Sequence, residues 1–450
     1  MNREILRLAI PNIIANISVP MLGIVDTALV GHMEAVYYIG ALAVGTMVFN
    51  FIYFGMGFLS MGTSGLTAQA WGAQNQSEVG LVFWRALTVA LSMSILLILL
   101  QIPLIRIGFH FVDATPEVLE HASSYFHIRI WAAPATLSLM VVQGWFIGIQ
   151  NARTPMMLTI VVNVSNILGN LIFVYGFGMN SDGVAYGTVC AQYLGLLIAF
   201  KILSTMVSPL KNPVNWRKVL QLSALKQYFY INFDLLLRTL NLIVVFAFFT
   251  LASSWQSGVI LAANSILMQP WAFNSFALDG FAYAAQSLVG RFIGAGDVVS
   301  LKRCIRYLLL WCTGIALIFS LVYFLFGEWI LAAFTDKEDV IRKALEYWNW
   351  VVLGTFLGSF AYIWDGIYIG ATATRSIRNA MLICGVVFFC SYWIFIEPMG
   401  NHGLWTALTI FMIARGLILT VMAPSCICLL YTSDAADEGL GVDLGGRRII

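Results

Sequence analysis

Charge is scarce in this chain. Asp, Glu, Lys and Arg make up 10% of its 450 residues and apolar side chains 60%, whereas a soluble domain carries about 25% charged residues. A soluble fold of this length is therefore excluded, and a net charge of +2 is too small to suggest a nucleic-acid partner. Cysteine is uninformative: Cys190, Cys304, Cys312, Cys384 and Cys390 lie in or beside apolar stretches, and only Cys426 and Cys428 stand close together. Neither a disulfide framework nor a zinc site is implied. The sequence also has no Walker loop, no His-Glu-x-x-His and no Gly-x-Ser-x-Gly, and its five histidines, His32, His110, His121, His127 and His402, fall in or near loops expected outside. ATP-driven transport, enzymatic catalysis and a resident cofactor drop out.

Long apolar runs fill the space that charge leaves. A bilayer core takes roughly 20 apolar residues per helix, and spans are expected near 8–31, 38–65, 80–104, 123–147, 155–178, 183–207, 226–252, 258–288, 304–326, 346–369, 377–397 and 403–424. The first run is too long for a signal-peptide core and lacks a small-residue cleavage motif, so it stays as the first helix. With the N-terminus inside, the inner segments hold Arg3, Arg7, Arg85, Arg153, Lys201, Lys211, Arg217, Lys218, Lys226, Arg291, Lys302, Arg303, Arg306, Arg375 and Arg378, and the outer loops only Arg106, Lys337, Arg342 and Lys343. That bias predicts both termini in the cytoplasm of a multi-pass protein of the bacterial inner membrane.

The chain repeats itself. Gln143-Gly-Trp-Phe-Ile-Gly148 through Arg153 recurs as Asp365-Gly-Ile-Tyr-Ile-Gly370 through Arg375, an offset of 222 (370 − 148). Gly72-Ala73 with Gly294-Ala295, and Glu117-Val118 and Tyr125 with Asp339-Val340 and Tyr347, keep the same offset. Two six-helix lobes follow, 1–207 and 226–424, joined by a basic cytoplasmic linker over 208–225 that contains Pro209, Pro213 and Trp216. Because each half holds six helices, both share one orientation, related by an axis along the membrane normal with a pathway between them. Residues 425–450 become polar and Gly-rich without helical period, which reads as a non-native or disordered tail without function.

Ionisable groups inside spans cost about 2.5–3.5 kcal/mol on insertion scales and are default functional candidates. Asp26 stands in the first span with no basic residue within a helical turn, so it is suited to bind and release a proton or to serve a cation; the bland reading is a hydrated acid capping an outer loop. Pro11 and Pro20 precede it, and each permits a bend that protonation would couple to shape. Asn163, Asn166 and Asn170 are three and four residues apart and share one face of the fifth span, facing Asp26 or serving as packing contacts. Asp234 and Arg238 are spaced for a salt bridge within the seventh span. Asp279 and Asp365 are candidates to line a central cavity. Arg129 and Arg415 read as anchors or lobe-packing residues. The 17 Met and 31 Phe suit an adaptable apolar pocket, though in a membrane most such residues face lipid.

Pro11-Asn12, Val25-Asp26-Thr27 with Gly31-His32, Gln69-Ala70-Trp71-Gly72-Ala73 and the paired halves together make the chain resemble the multidrug and toxic compound extrusion (MATE) family, its DinF-type branch in particular, over residues 1 to about 424. The resemblance implies a V-shaped, all-α, twelve-helix antiporter that exports amphipathic, often cationic organic compounds in exchange for H⁺ or Na⁺. It makes Asp26 the coupling-ion site, Pro11 the bend-forming proline, Asn166 and Asn170 its partners in the fifth helix, and Thr188 a further ligand. Some members carry an aspartate where this chain has Asn170, so a single carboxylate favours H⁺, with Na⁺ at Asp26 as the alternative.

The expected protein is thus a secondary active antiporter, monomeric, working on small organic substrates within the lipid bilayer. Its competitor is a flippase for a lipid-linked precursor on a related scaffold. A flippase needs a basic cavity for a pyrophosphate, and the spans offer only Arg129, Arg238 and Arg415. A membrane enzyme or receptor would leave Asp26 and the repeat unexplained.

Overall fold

The computed structural model describes residues 1–31, 37–110, 112, 114–206 and 214–428. His32, Pro209, Lys211, Pro213 and residues 429–450 lie outside it, as do the side chains of Thr27 and Cys428. Among the described residues the chain is helical throughout, without strands. Hydrocarbon offers backbone groups no partner, so a spanning segment that satisfies its own N–H and C=O groups as a helix is the economical solution.

Eleven helical segments are long and apolar enough to cross a membrane. The expected eighth span falls on the helix Gly258–Gly294, which is not among the eleven. Asn264, Gln269, Asn274, Asp279 and Gln286 dilute its apolar content. Asn264, Asn274 and Gln286 are buried in protein, so much of this helix faces side chains rather than lipid and needs less apolar surface. Several spans prove longer than the bilayer core requires: Pro116–Gly148 and Glu338–Gly370 each begin about two turns earlier than the hydropathy placed them. The seventh helix starts at Leu222, inside the stretch expected as linker, where Trp216–Val219 forms one further helical turn. Beyond Ala423 a π-helical turn, Pro424–Cys428, carries the last helix into the stretch expected as tail.

The described residues form two compact units. One is Leu6–Leu236; the other joins Met1–Ile5 to the chain from Leu237 onward. In the second unit Glu4 pairs with Arg291 at 3.3 Å and Trp311 Nε1 donates to Asn2 Oδ1 at 3.1 Å, tying the first turn of the chain to it.

The repeat seen in the sequence is present in backbone detail. Among the described residues, the six in the left-handed region pair at the offset of 222: Gln74 with Gly296, Gln150 with Thr372, and Gly178 with Gly400. The first two pairs follow helix ends closed by the hydrogen bond of a Schellman turn: Asn75 N–H to Ala70 O (3.0 Å) matches Asp297 N–H to Phe292 O (3.0 Å), and Asn151 N–H to Phe146 O (2.9 Å) matches Ala373 N–H to Tyr368 O (3.0 Å). Asn75 and Asp297 then cap the next helices by accepting from Glu78 N–H and Ser300 N–H. The Ser300 side chain, and then the capping backbone bond from Ser300, favour the charged form of Asp297 and lower its pKa.

The glycines of the repeated motif explain its recurrence. Gly144 packs on the Ser60 carbonyl and Gly366 on the Ala282 carbonyl, again 222 apart, closer than any Cβ would permit. One turn on, a Cβ at Gly148 would lie 2.9 Å from Ser64 O and one at Gly370 2.7 Å from Gln286 O. Small residues spaced by four let membrane helices approach at the backbone, and each half uses that crossing once.

Candidate functional site

The first unit contains a chain of hydrogen bonds that ends on Asp26. Asn166 and Asn170 sit one turn apart on the helix Arg153–Leu171, and both are buried. Asn170 Nδ2 donates to Asp26 Oδ1 at 2.7 Å and to Asn166 Oδ1 at 2.9 Å. Asn166 Nδ2 donates to Thr188 Oγ1 at 2.9 Å, and Thr188 donates onward to the Val184 carbonyl. The neighbouring helix, Ser181–Met206, makes room with Gly187, where a side chain would overlap the Asn170 carboxamide. Asp26, Asn166, Asn170 and Thr188, expected from the family pattern, are thus brought into one connected site.

Its electrostatics are lopsided. Both Asn170 amide hydrogens are committed, while Asn170 Oδ1 is buried with no partner. An unsatisfied buried acceptor costs about 1–3 kcal/mol, and beside a carboxylate it is an oxygen that an added donor or small cation would satisfy. Arg129 acts electrostatically on Asp26. Its guanidinium donates to Tyr125 Oη at 2.6 Å and lies 4.7 Å from the Phe49 ring centre. The sequence offered only an intramembrane arginine, with no sign of which acid it served.

Asn163 goes elsewhere. Its Nδ2 donates to Ser18 Oγ at 3.0 Å and Ser18 O at 3.2 Å, while Ser18 Oγ donates to Ala15 O at 2.7 Å. Two turns and more below Asp26, this bond holds the stretch of the first helix between Pro11 and Pro20. The helix Asn2–Gly31 runs unbroken through both prolines.

A second polar centre lies in the other unit. Asp365 Oδ2 accepts from Arg238 and, at 2.8 Å, from Arg415 Nη2. All three side chains are buried. Asp279, on Gly258–Gly294, is electrostatically coupled to all three and is partly exposed. Asp234, on the same helix Leu222–Gln256 but within the first unit, is buried one turn before Arg238. No group of three or more His, Cys, Asp or Glu able to hold a metal ion occurs among the described residues.

An internally duplicated, all-helical, multi-pass protein with isolated buried charge belongs to the membrane carriers. The MatE family model matches residues 11–172 and 235–394, one segment in each half of the repeat, and the chain belongs to that family. It is 37% identical to DNA damage-inducible protein F of Escherichia coli (strain K12), over 94% of this chain and 92% of that protein. Multidrug resistance protein NorM of Photobacterium profundum is 23% identical over 93% and 94% of the two chains, and Protein DETOXIFICATION 44, chloroplastic, of Arabidopsis thaliana 26% over 92% and 80%. The fold is shared with a MATE crystallised in the bent conformation (TM-score 0.87, 19% identity, 96% and 97% covered) and with an outward-facing multidrug resistance MATE family transporter (TM-score 0.84, 19% identity, 95% and 96% covered). The protein is therefore a membrane transporter and not an enzyme.

Proposed function

We propose that the protein is a secondary active antiporter that exports amphipathic, often cationic organic compounds in exchange for H⁺, with Asp26 as the proton carrier. Multidrug resistance proteins among its relatives support the substrate class. The observation that carries the ion assignment is the Asn170 carboxamide, which gives Asp26 a hydrogen while holding a free, buried oxygen beside it. An ionised Asp26 uses the N–H, and a protonated one has the orphaned Oδ1 within its surroundings as an acceptor, so the site has a defined partner in both states. A Na⁺ ion would draw on one carboxylate, Asn170 Oδ1 and Thr188 Oγ1, a thin ligand set for a hard cation. The surroundings suit the inner membrane of a bacterium, with both termini cytoplasmic and the protein acting as a monomer. A flippase is disfavoured because the three arginines of the spans are already engaged, Arg238 and Arg415 by Asp365 and Arg129 by Tyr125.

The test is efflux of a fluorescent organic cation from proteoliposomes under a pH gradient or a Na⁺ gradient imposed separately. Wild type should respond to the pH gradient alone, and Asp26→Asn to neither. Wild-type rates in Asp26→Asn would remove Asp26 from the mechanism, and a response to Na⁺ only would replace the proton.

A further inference from the structure

The two halves dock the opening turn of a helix differently. In the second unit the first turn of the chain is held by Glu4 on Arg291 at 3.3 Å and by Asn2 Oδ1, which accepts from Trp311 Nε1 at 3.1 Å. Trp311 also stacks on Phe281, with 6.1 Å between ring centres. At the offset of 222, Glu4 and Arg291 correspond to Lys226 and Gln69, Asn2 and Trp311 to Ala224 and Val89, and Phe281 to Leu59. Neither the ion pair nor the indole bond can form from those side chains, and valine leaves much of the volume of the tryptophan unfilled. A groove of about 700 Å³ opens at that place in the first unit, between Gln76–Leu99 and the start of Leu222–Gln256, with Val89 and Lys226 both in its wall.

The groove has a long apolar wall and one cationic end. Phe58, Met93, Leu96, Phe229, Phe233 and Leu236 line it, and among the described residues no acidic side chain does. Leu96 and Phe229 are more than half exposed, so protein does not seal this wall. Its floor is fixed: Tyr228 Oη and Thr63 Oγ1 share a hydrogen bond of 2.9 Å, and Asn232 packs on Gly62 closer than a Cβ would permit. Lys226 stands one turn into its helix, where long cationic side chains of spanning helices reach the interface. Its ammonium lies 5.8 Å from the Tyr230 ring centre and meets no carboxylate among the described residues, and the position that supplies Glu4 with its counter-charge holds neutral Gln69 here. Small-molecule sites measure about 300–1,000 Å³, and an apolar groove of that size ending in a cation suits an anionic lipid. An organic cation of the proposed substrate class would meet a like charge.

We propose that this groove is a binding site for one anionic phospholipid, with an acyl chain against Val89 and Phe229 and the phosphate at Lys226. Arg217 and Lys218 add positive charge just ahead of that helix. Their helical turn, Trp216–Val219, is tied to Gln76–Leu99 by Arg85 Nη2, which donates to the Lys218 carbonyl at 3.2 Å, and by Trp84 against Trp216, 5.9 Å between ring centres. The lipid takes the place that Trp311 fills in the other unit and completes the packing of the crossing. The site depends neither on the coupling ion nor on the exported compound.

Native mass spectrometry of the purified full chain, freed of lipid in detergent and titrated with dioleoyl phosphatidylglycerol or dioleoyl phosphatidylcholine, tests it. Wild type should hold one molecule of the glycerol lipid at least about fivefold more tightly than the choline lipid, the increment of one basic residue beside an anionic head group. Val89→Trp, which rebuilds the tryptophan of the other unit, should lose that first tight lipid with either head group. Lys226→Gln should lose about fivefold for phosphatidylglycerol alone. Retention of the tight lipid in Val89→Trp, unchanged phosphatidylglycerol binding in Lys226→Gln, or a wild type without preference overturns the proposal. Should Val89→Trp fail to fold, Ser92→Cys reports from the groove wall. Phosphatidylglycerol should slow its alkylation by a maleimide; an unchanged rate overturns the proposal, and so does protection by tetraphenylphosphonium alone, which would give the groove to an organic cation.

Discussion

Asn170 gives Asp26 a hydrogen bond of 2.7 Å and withholds its own carbonyl oxygen, which is buried and unpartnered. Under the proposed proton coupling, the pair lacks the second carboxylate that a hard cation would draw on.

Asn170→Asp would supply that carboxylate. Two acids beside Thr188 Oγ1 and Asn166 Oδ1 form a cluster of oxygens that suits a hard cation far better than one acid does. The variant should gain Na⁺-driven efflux in proteoliposomes, at least about tenfold above the wild-type Na⁺ response, since one further charge at contact distance is worth a factor of that order. No gain would mean that the oxygens of the site do not converge.

Asn163 and Ser18 join the first helix to the fifth through two hydrogen bonds. Bonds of this kind between membrane helices contribute about 0.6 kcal/mol on average and up to about 1.7. A double-mutant cycle of Asn163→Ala and Ser18→Ala, read by unfolding in detergent, should give a coupling energy in that range. Zero coupling would show that the bond to Ser18 Oγ contributes nothing and leave the bond to the Ser18 carbonyl as the whole of the contact.

The glycine crossing should behave alike in both halves. Gly144→Ala and Gly366→Ala each place a methyl group on a backbone carbonyl oxygen, an overpacking that costs about 1–3 kcal/mol. Apparent Tm should fall by similar amounts in the two variants. A fall in one alone would contradict the equivalence of the two crossings.

How much of this was legible beforehand follows from what helical period encodes. Spacing of three and four put Asn163, Asn166 and Asn170 on one face, and that is observed; it does not specify what each meets along the axis, so Asn163 on Ser18 was hidden. The repeat was readable because the crossing glycines 144, 148, 366 and 370 are chemically constrained. The left-handed positions were not, since Gln74, Gln150 and Thr372 take a conformation that sequence normally advertises with glycine. Arg129 beside Asp26 and Arg415 beside Asp365 join different helices, and no local pattern reports which helices become neighbours. The eighth span, expected over 258–288, is present as Gly258–Gly294, and it tolerates Asn264, Asn274 and Gln286 because these are buried in protein.

Asp365 offers the sharpest separation of structure from transport. Removing one partner of a buried ion pair costs about 3–5 kcal/mol because the remaining charge is left uncompensated. In Asp365→Ala both Arg238 and Arg415 lose their shared carboxylate, so unfolding should show a loss at or above that range. The corresponding Gln143→Ala in the first unit removes a neutral bond to Thr159 Oγ1 of 3.2 Å and should cost about 1 kcal/mol. Replacing the charges together, as in Asp365→Leu with Arg238→Met and Arg415→Met, should recover most of the stability, since apolar substitutes of similar volume often match a buried ionic cluster. A triple variant as unstable as Asp365→Ala would show that the charges support the fold of the second unit.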